Sequence, residues 1–390
     1  MSALTEALRE RTLRSLPLTL YVHYPFCRRK CPYCDFFSVV KPADAALDTR
    51  YAQRLAMEFK ALTPFLGGRH FEAVFIGGGT PSLITPDALA LLLDAVEPYL
   101  RSDTEITLEM NPGSVNREGI SALLSLGINR VSLGCQSFND RLLKVLGRIH
   151  DREAIFRAVD ALAGRVRLNL DIMHSLPGQS LEEAIADLQT ALDLEPEHLS
   201  WYELTLEEGT PFYDHPPAAL PDEELQVRVD EAGFSLLDRR GYRHYEVSAF
   251  TRDRVCTHNV NYWRFGDYVG LGAGAHGKLS TEQGLLRSAY ADDVTAFLKG
   301  EGPAVRLIPR EDVPGLAFEY FLNRLRLYEP LSFAELAGYT GLSPEEPYLK
   351  EKLKALQAEG LLTLNAQGLA LTARGQRLLN DVLITFLPEE

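Results

Sequence analysis

Short apolar runs alternate with segments of helical periodicity from about residue 18 to about residue 245, and this alternation limits the fold more than any other feature. Such a pattern builds parallel β/α units. It predicts six strands rather than the eight of a complete TIM-type barrel. The predicted strands are Leu18–His23, Ala73–Ile76, Glu105–Glu109, Val131–Cys135, Val166–Ile172 and Leu199–Leu204. The helices predicted between them are Tyr51–Leu62, Pro86–Leu100, Arg117–Leu126, Arg152–Ala163 and Leu181–Leu194.

Several predicted strands end in residues suited to chemistry. Gly77-Gly78-Gly79-Thr80 follows the second strand, Glu109 ends the third, Gln136 follows the fourth and Asp171 lies in the fifth. In β/α barrels the active site collects at the carboxyl ends of the strands. The sequence therefore predicts an α/β fold, a partial (β/α)6 TIM-like barrel whose mouth carries a site.

The alternation of strand-like and helix-like segments ends at about residue 245. A Gly- and aromatic-rich stretch comes first, and glycine permits close approach to another surface or ligand. Three helices and two short alternating runs around a turn then predict a small α+β, winged-helix-like domain. We divide the chain into a barrel at 1–245, a connecting segment at 246–309 and the C-terminal domain at 310–390. The helices predicted in that domain are Leu316–Leu327, Phe333–Tyr339 and Glu346–Glu359.

The composition is that of a packed globular protein, with 46% hydrophobic and 24% charged residues. A formal net charge of −14 has the wrong sign for non-specific attraction to phosphates, so no nucleic-acid partner is expected. The first 22 residues carry acids and bases throughout, unlike a signal peptide. No run reaches the roughly 18 apolar residues of a membrane span. We therefore expect a cytoplasmic protein.

Three of the five cysteines, Cys27, Cys31 and Cys34, fall within eight positions directly after the first predicted strand. The odd number and the crowding argue against disulfides, so the thiols are predicted to be metal ligands. Four-iron clusters in electron carriers usually have four cysteine ligands, and structural zinc sites also close with four. Three thiolates would leave one iron of a [4Fe–4S] cluster open to a chelating ligand such as S-adenosylmethionine. Zinc with His23 as fourth ligand is the alternative.

The cluster motif is part of a longer ordered series. Tyr21-Val-His-Tyr-Pro-Phe-Cys27 and Cys31-Pro-Tyr-Cys34-Asp-Phe resemble the radical-SAM proteins of the oxygen-independent coproporphyrinogen III oxidase-like family. This resemblance covers nearly the whole chain and implies a radical-SAM barrel with an oxygen-sensitive [4Fe–4S] cluster and S-adenosylmethionine at its open iron. It continues through Gly77-Gly-Gly-Thr-Pro, Glu109-Met-Asn-Pro, Gly134-Cys-Gln136-Ser-Phe, Leu146-Gly-Arg148 and Asp171-Ile-Met-His-Ser-Leu-Pro-Gly.

The same resemblance implies a set of S-adenosylmethionine contacts at matching positions. Backbone groups at Gly78 and Gly79 could approach the methionine end for want of a Cβ. Arg148 could pair with its carboxylate, and Asp171 suits ribose hydroxyls. A strand-to-helix turn is the alternative for the glycines, and a salt bridge at the barrel rim for the acids. The set is Tyr21, Tyr33, Gly78, Gly79, Thr80, Glu109, Gln136, Arg148 and Asp171; Cys135 is predicted to be a small buried hydrophobe.

Two departures separate the chain from the oxidase branch of this family. That branch typically has a fourth cysteine where this chain has Phe36, and an extension before the cluster strand, whereas only about twenty residues precede Tyr21 here. By contrast, His258-Asn-Val-Asn-Tyr262-Trp263 resembles the haem chaperone branch, called HemW, whose members bind haem and deliver it to haem proteins. A haem chaperone is therefore the first expectation. An oxygen-independent coproporphyrinogen III oxidase, or a radical-SAM enzyme for another substrate, is the alternative, and whether the chain is an enzyme stays open.

Haem as a bound cargo needs a place for a flat apolar macrocycle. The segment from His258 to His276 is the best candidate by composition. The hypothesis is that Tyr262 or Trp263 stacks on the macrocycle and that a histidine ligates the iron. The alternative is that these residues pack the junction between domains, and Cys256 is a further candidate ligand.

The haem chaperone resemblance also implies partners. We expect haem or a porphyrin, and recipient haem proteins, with respiratory ones as the first choice. Peripheral contact at the inner face of a membrane and a homodimer are left open. The winged-helix-like domain suggests DNA binding by fold analogy, but fold alone does not assign function. Mixed charges such as those of residues 349–354 favour a solvated or protein-docking surface.

Overall fold

A computed structural model describes residues 16–114 and 116–388. In chain order the strands are β1 (Leu18–Tyr24), β2 (Phe26–Cys27), β3 (Val39–Val40), β4 (Ala73–Gly78), β5 (Glu105–Met110), β6 (Arg130–Gln136), β7 (Arg167–His174), β8 (His198–Glu203), β9 (Arg243–Glu246), β10 (Ala249–Thr251), β11 (Asp267–Leu271), β12 (His276–Ser280), β13 (Gly284–Ala289), β14 (Ala304–Pro309), β15 (Leu331–Ser332), β16 (Leu362–Leu364) and β17 (Gly368–Leu371). Twelve of these strands form one mixed sheet in the order β14-β13-β12-β11-β1-β4-β5-β6-β7-β8-β10-β9.

The six predicted barrel strands all form. They are β1, β4, β5, β6, β7 and β8, and each pairs in parallel with the next. The prediction of an α/β fold with a partial (β/α)6 barrel is therefore confirmed. Because side chains alternate across a strand, one face of each packs on the helices and the other faces the barrel interior.

The segment 246–309, expected as a connection, adds strands to both ends of this sheet. Strand β11 pairs in parallel with β1, and β12, β13 and β14 continue from it antiparallel. At the other end β10 pairs antiparallel with β8. The glycines of this segment allow close strand contact, because a Cβ at Gly270 would lie 1.9 Å from the carbonyl oxygen of His276.

In chain order the helices are α1 (Ala45–Leu62), α2 (Pro86–Val96), α3 (Arg117–Ser125), α4 (Asp140–Val145), α5 (Arg152–Leu162), α6 (Leu181–Asp193), α7 (Pro211–Asp214), α8 (Glu223–Arg239), α9 (Thr257–Trp263), α10 (Val294–Lys299), α11 (Val313–Arg324), α12 (Phe333–Thr340), α13 (Pro347–Ala358), α14 (Ala373–Arg377) and α15 (Leu379–Ile384). The five predicted crossover helices are present as α1, α2, α3, α5 and α6. Helix α1 begins at Ala45, before the predicted start, because the Asp44 side chain accepts from the Leu47 N–H and caps it. Helix α2 ends at Val96 because Pro98 cannot donate to a continuing helix.

The C-terminal part has its own apolar core around Tyr320, Phe321 and Phe386. Helices α11, α12 and α13 precede the β16–β17 hairpin, so the predicted order of three helices and a hairpin is observed. Strand β15 joins this hairpin as a third strand. Phe265, just before β11, packs into the same core and ties the C-terminal domain to the sheet. Across residues 16–114 and 116–388, no helix has the length and apolar character needed to cross a lipid bilayer.

Candidate functional site

The three predicted ligand cysteines lie on one loop that follows β1. The ends of this loop are tied together, because β2 pairs with β3 and the Lys41 N–H donates to the Cys27 carbonyl at 3.1 Å. Within the loop, the Cys34 N–H donates to the Cys31 carbonyl at 3.1 Å. All three thiols are free, with Cys27 buried and the other two half-buried. Burial raises the pKa of Cys34 to about 11, so binding to iron as a thiolate must displace a proton.

His23, the proposed fourth ligand of the zinc alternative, already uses both ring nitrogens. Its Nδ1 lies 2.9 Å from the Tyr21 hydroxyl and its Nε2 lies 2.8 Å from the Phe37 carbonyl oxygen. In the described part of the chain, no three His, Cys, Asp or Glu side chains converge as ligands of a single ion. In a four-iron cluster each thiolate binds a different iron. The donor set therefore fits a cluster better than zinc.

The cysteine loop forms one wall of a cavity of about 430 Å³ at the carboxyl ends of β4 to β8. We call it the cluster cavity. It is lined by all three cysteines and by eight of the nine side chains or glycines expected to contact S-adenosylmethionine. Those eight are Tyr33, Gly78, Gly79, Thr80, Glu109, Gln136, Arg148 and Asp171.

Gly78 and Gly79 bring the end of β4 against the end of β1. A Cβ at Gly79 would lie 2.7 Å from the Phe26 carbonyl oxygen, and one at Gly78 would lie 2.7 Å from the His23 ring. Gly78 also has a φ of +119°, which side-chain-bearing residues rarely adopt. The Gly79 N–H donates to the Tyr24 carbonyl at 2.8 Å. The glycines are thus required for a close approach to the protein's own backbone, and this approach shapes the cavity wall.

Arg148 is held beside the cysteines. Its guanidinium donates to the Asn111 side chain at 2.6 Å and to the Gly134 carbonyl at 2.9 Å, and it lies 3.8 Å from the Cys31 Sγ. The preceding Gly147 packs against the cysteine loop. Among residues 16–114 and 116–388, Arg148 has no carboxylate partner within 4.0 Å. A cation in this position is suited to an anionic group of a ligand.

Two carboxylates face the cavity from neighbouring strands. Glu109 accepts from the Gly78 N–H at 3.0 Å, and burial together with the Asp171 carboxylate raises its pKa to about 8. Asp171 accepts from Ser132 at 3.0 Å and from Asn169 at 2.7 Å, and burial raises its pKa as well. Glu109 and Asp171 accept hydrogen bonds from neutral groups, and neither forms the salt bridge at the barrel rim that was the alternative interpretation. They remain available to ligand hydroxyls or amines.

Gln136 has a strained backbone, with a φ of +69°. The pairing of β6 with β7 shifts register at this point, and the Tyr202 hydroxyl donates to the Gln136 side chain at 2.9 Å. Left-handed backbone at a non-glycine residue is uncommon and concentrates at functional sites. The geometry therefore supports a binding role for Gln136.

Several lining residues were not predicted. Arg130 and Ser132 on β6, Asn169 on β7, and Ser200 and Tyr202 on β8 all line the cluster cavity. They alternate with apolar residues along their strands, so they share the interior face. This alternation of polar residues within apolar strands is the sequence signal that could have identified them.

Tyr21 is the one expected contact that does not line the cluster cavity. It faces a second cavity of about 320 Å³, which we call the aromatic cavity. Phe36, at the position of the additional oxidase cysteine, lines both cavities and is 56% exposed. The aromatic cavity is lined by Tyr21, His23, Asp35, Phe36, Phe37, Tyr262, Tyr268, Gly274, His276 and Asp292.

The predicted haem residues separate in the structure. Tyr262 lines the aromatic cavity. His258 is buried behind it and outside the lining of either cavity, with its ring 4.9 Å from that of Phe75. Trp263 packs under Arg326 at 4.7 Å, at the junction with the C-terminal domain, as the packing interpretation expected. Cys256 is completely buried and donates to Glu105 at 3.6 Å, so it does not face a ligand space.

Comparison with known proteins identifies two families along the chain. Residues 21–191 match the Radical SAM superfamily, and residues 314–378 match the HemN C-terminal domain. The chain is 42% identical to heme chaperone HemW of Escherichia coli strain K12 over 380 residues, covering 96% of this chain and 99% of the relative. It is 41% identical to heme chaperone HemW of Haemophilus influenzae, with coverage of 96% and 99%.

Similarity also extends to a mitochondrial protein and to a solved structure. The mouse radical S-adenosyl methionine domain-containing protein 1 is 34% identical, covering 95% of this chain and 87% of that protein. Coproporphyrinogen III oxidase (HemN) from Escherichia coli, described as a radical SAM enzyme, superposes with a TM-score of 0.82. That match covers 98% of this chain and 92% of the oxidase at 22% identity, and it establishes a shared fold.

Proposed function

The chain belongs to the radical SAM superfamily and, within it, to the heme chaperone HemW family, and from this we propose that it binds haem and delivers it to haem proteins. The observation that carries the proposal is the 42% identity to a heme chaperone over 96% of the chain. Two neighbouring cavities that share only Phe36 support the proposal, because a cofactor and a cargo could then occupy separate spaces.

The cluster cavity is proposed to hold the cofactors. Cys27, Cys31 and Cys34 would ligate a [4Fe–4S] cluster, since three free thiols on one tied loop line the same cavity. When bound, such a cluster supplies one-electron chemistry to S-adenosylmethionine. Arg148 would pair with the carboxylate of that cofactor, and Asp171 would accept hydrogen bonds from its ribose. The remaining proposed contacts on the cavity wall are Tyr33, Gly78, Gly79, Thr80, Glu109 and Gln136.

Haem is proposed to bind near the segment from His258 to Trp263. Tyr262 faces a cavity and can stack on a macrocycle, whereas His258 supports it from behind, with ring centroids 4.8 Å apart. Trp263 would act indirectly by fixing helix α9 against Arg326. We assign Tyr21 to this region as well, because it lines the aromatic cavity.

The proposed setting is the cytoplasm, with respiratory haem proteins as recipients. The net charge of −14 disfavours nucleic acid as a partner. Contact with a membrane would arise through a recipient complex at its inner face. A homodimer is proposed as the form to test by light scattering.

Haem transfer tests this function. Cluster-reconstituted protein is loaded with haem anaerobically, mixed with an apo haem protein that can be separated from it, and haem is followed by its absorbance in both fractions. We expect haem to leave the loaded protein faster with the recipient present than with buffer alone. Equal rates in both mixtures would argue against delivery.

A parallel assay distinguishes the oxidase activity. The same preparation is incubated with reductant, S-adenosylmethionine and coproporphyrinogen III, and protoporphyrinogen is followed by chromatography. We expect no product from a sample with an intact cluster and bound cofactor. Turnover would make the chain a decarboxylase despite Phe36.

A further inference from the structure

Three consecutive basic residues separate the first two proposed cluster ligands. Arg28, Arg29 and Lys30 lie between Cys27 and Cys31, and all three basic side chains are exposed. The chain as a whole carries a formal net charge of −14. A run of exposed cations is therefore a local departure from the overall charge of the protein, and it lies on the loop that carries the proposed cluster ligands.

The protein does not neutralise these cations. Arg28 and Lys30 each donate to a backbone carbonyl oxygen at 3.1 Å. In the part of the chain that the structure describes, none of the three lies within 4.0 Å of a carboxylate, and the Arg29 guanidinium makes no hydrogen bond. The one acid of the loop, Asp35, lines the aromatic cavity, whose lining contains none of the three cations. Their charge is thus available to a partner.

Large apolar side chains are exposed beside the cations. Ile149 is 61% exposed and lines a shallow surface cleft with two of the cations. Val40 and Phe36 are each 56% exposed; Val40 pairs with Cys27 across the short strands that tie the loop, and the Phe36 carbonyl accepts from Lys30. Exposed apolar groups next to charges are typical of docking surfaces. We call the following set the basic surface: Arg28, Arg29, Lys30, Phe36, Val40 and Ile149.

The basic surface lies directly beside the proposed cluster site. Cys31 and Arg29 line both the surface cleft and the cluster cavity. Electron transfer slows steeply with distance, so a protein that supplies an electron to the cluster must dock close to one of its ligands. A partner on the basic surface would meet this requirement.

We propose that the basic surface docks an acidic one-electron carrier protein with a reduced flavin, which reduces the cluster. This inference rests on the proposed function, because only a bound cluster accepts the electron. The flavin is oxidised by one electron, the cluster is reduced by one, and no bond of this chain forms or breaks. Opposite charges steer the encounter, and redox encounters bury small areas, below about 1,200 Å².

Anionic lipid is the other partner that cations beside apolar side chains could bind. Basic segments that recognise such lipids carry about four to eight lysines and arginines. The basic surface has three, and they lie between two cluster ligands. Both observations favour an electron carrier over a membrane surface.

The test measures cluster reduction by flavodoxin, a small acidic flavoprotein, in the full-length, cluster-reconstituted protein. The electron paramagnetic resonance signal of the reduced cluster is followed after mixing, without S-adenosylmethionine, so that effects on cofactor binding are excluded. Arg28→Glu/Arg29→Glu is expected to lower the second-order rate constant by about tenfold to a hundredfold, within the range of electrostatic steering. Arg28→Gln/Arg29→Gln should show a smaller loss, and added salt should reduce both differences.

The matched control places the same charge change at the other end of the barrel. Arg165 follows α5 and Arg239 ends α8, and both are exposed. Helices of β/α units return to the amino ends of the next strands, whereas the cysteine loop lies at the carboxyl ends. Arg165→Glu/Arg239→Glu should be reduced by flavodoxin within about twofold of the unsubstituted rate, because the steering charge is local.

A small uncharged reductant separates docking from other roles of the cations. Photoreduced deazariboflavin should reduce the cluster equally fast in every variant. Equal slowing with flavodoxin and with deazariboflavin in Arg28→Glu/Arg29→Glu would overturn the proposal, because the cations would then act on the cluster itself.

Unchanged reduction by flavodoxin in the same variant would also overturn it. If that variant in addition no longer sediments with phosphatidylglycerol vesicles, the basic surface binds lipid instead. Failure of the unsubstituted protein to assemble a reducible cluster would remove the proposed cofactor site, and the docking proposal with it.

Discussion

The two cavities are neighbours, yet they are lined by different kinds of side chain. The cluster cavity is polar: Arg148, Glu109 and Asp171 project into it from the carboxyl ends of barrel strands or the loops that follow them. The aromatic cavity is walled by rings such as Tyr262 and Tyr268. A charged cofactor needs fixed complementary groups, whereas haem needs apolar surface for its macrocycle, a ligand for its iron and a polar exit for its propionates. Apart from Phe36, the two linings have no residue in common, so two ligands could occupy them at the same time.

Phe36 is where the two cavities meet. It lines both and is 56% exposed, although large apolar side chains are usually buried. The oxidase-like branch typically has cysteine here, which would present a further thiol to the cluster loop. An aromatic ring at this position instead completes the wall of the aromatic cavity.

The largest expected effect follows from a substitution that removes a ligand from the cluster cavity and leaves the aromatic cavity unchanged. Cys31→Ala removes a cluster ligand, so iron and sulfide content should fall to background after reconstitution. Haem titration should still show binding, because the aromatic cavity has no contribution from Cys31. Cys135→Ala is the control: it is buried in β6, and it should keep the cluster at a cost of about 1 kcal/mol in unfolding free energy.

The second-largest expected effect is the loss of S-adenosylmethionine affinity when the cation Arg148 is removed from the cluster cavity. Arg148→Ala is expected to weaken S-adenosylmethionine binding by roughly tenfold to a hundredfold, because a charge-assisted pair contributes about 1.5–3 kcal/mol. Calorimetric titration of the cluster-loaded protein measures this. Arg141→Ala removes a solvent-exposed arginine paired with Glu183 and should leave the affinity unchanged; equal losses in both variants would contradict a direct contact.

Two adjacent aromatic residues allow a finer separation of cargo binding from packing. Tyr262→Ala should weaken haem binding by about fivefold through loss of stacking worth about 1 kcal/mol. Trp263→Phe should leave haem affinity within about twofold and lower the unfolding free energy by about 1 kcal/mol, because it loses part of the Arg326 contact. The reverse pattern in titration and denaturation would reassign the two side chains.

The last expected effect concerns the protonation of Glu109 in the cofactor-free protein, and it appears in folding stability rather than in ligand binding. Its folded pKa of about 8 lies above the ordinary 4.5, so the unfolded chain releases this proton first as the pH rises. The folded state consequently loses stability between about pH 4.5 and pH 8. Glu109→Gln keeps an acceptor for the Gly78 N–H and removes this dependence.

Thermal unfolding at several pH values measures the difference. The melting temperature of Glu109→Gln relative to the unsubstituted protein should rise by roughly a few degrees from pH 5 to pH 8. Glu118→Gln, at an exposed position on α3, should show no such trend. A constant difference across the range would mean that Glu109 is ionised in the folded state.

The barrel and the cluster cavity could be predicted largely from the sequence because their signals are local. Six parallel strands show as apolar runs, and chemical residues directly follow them, so Glu109 and Gln136 could be assigned without knowing which strands pair. The sequence could not show that Tyr21 lines the aromatic cavity rather than the cluster cavity, because neighbouring strands turn their inner faces to different cavities. The hydrogen bond from Arg148 to Asn111 likewise could not be predicted, because it depends on the packing of two loops.

The aromatic cavity could not be predicted in the same way. It forms because β11 pairs with β1, and nothing local in the sequence marks a pairing between strands so far apart in the chain. The glycines of residues 270–277 were expected to permit close approach to another surface or ligand, and the surface they approach is the neighbouring strand, as the contact of Gly270 with His276 shows. The motif from His258 to Trp263 made His258 a candidate haem residue. In the structure His258 is buried and does not line the aromatic cavity.

The most direct test of the account is a haem titration of cluster-loaded protein in the absence and presence of saturating S-adenosylmethionine, followed by haem absorbance under anaerobic conditions. If the cluster cavity and the aromatic cavity hold different ligands, both will bind together, and the haem dissociation constant will change by less than about threefold, which is under 1 kcal/mol. Displacement of haem by S-adenosylmethionine would show that the two ligands compete for one space and would contradict the account.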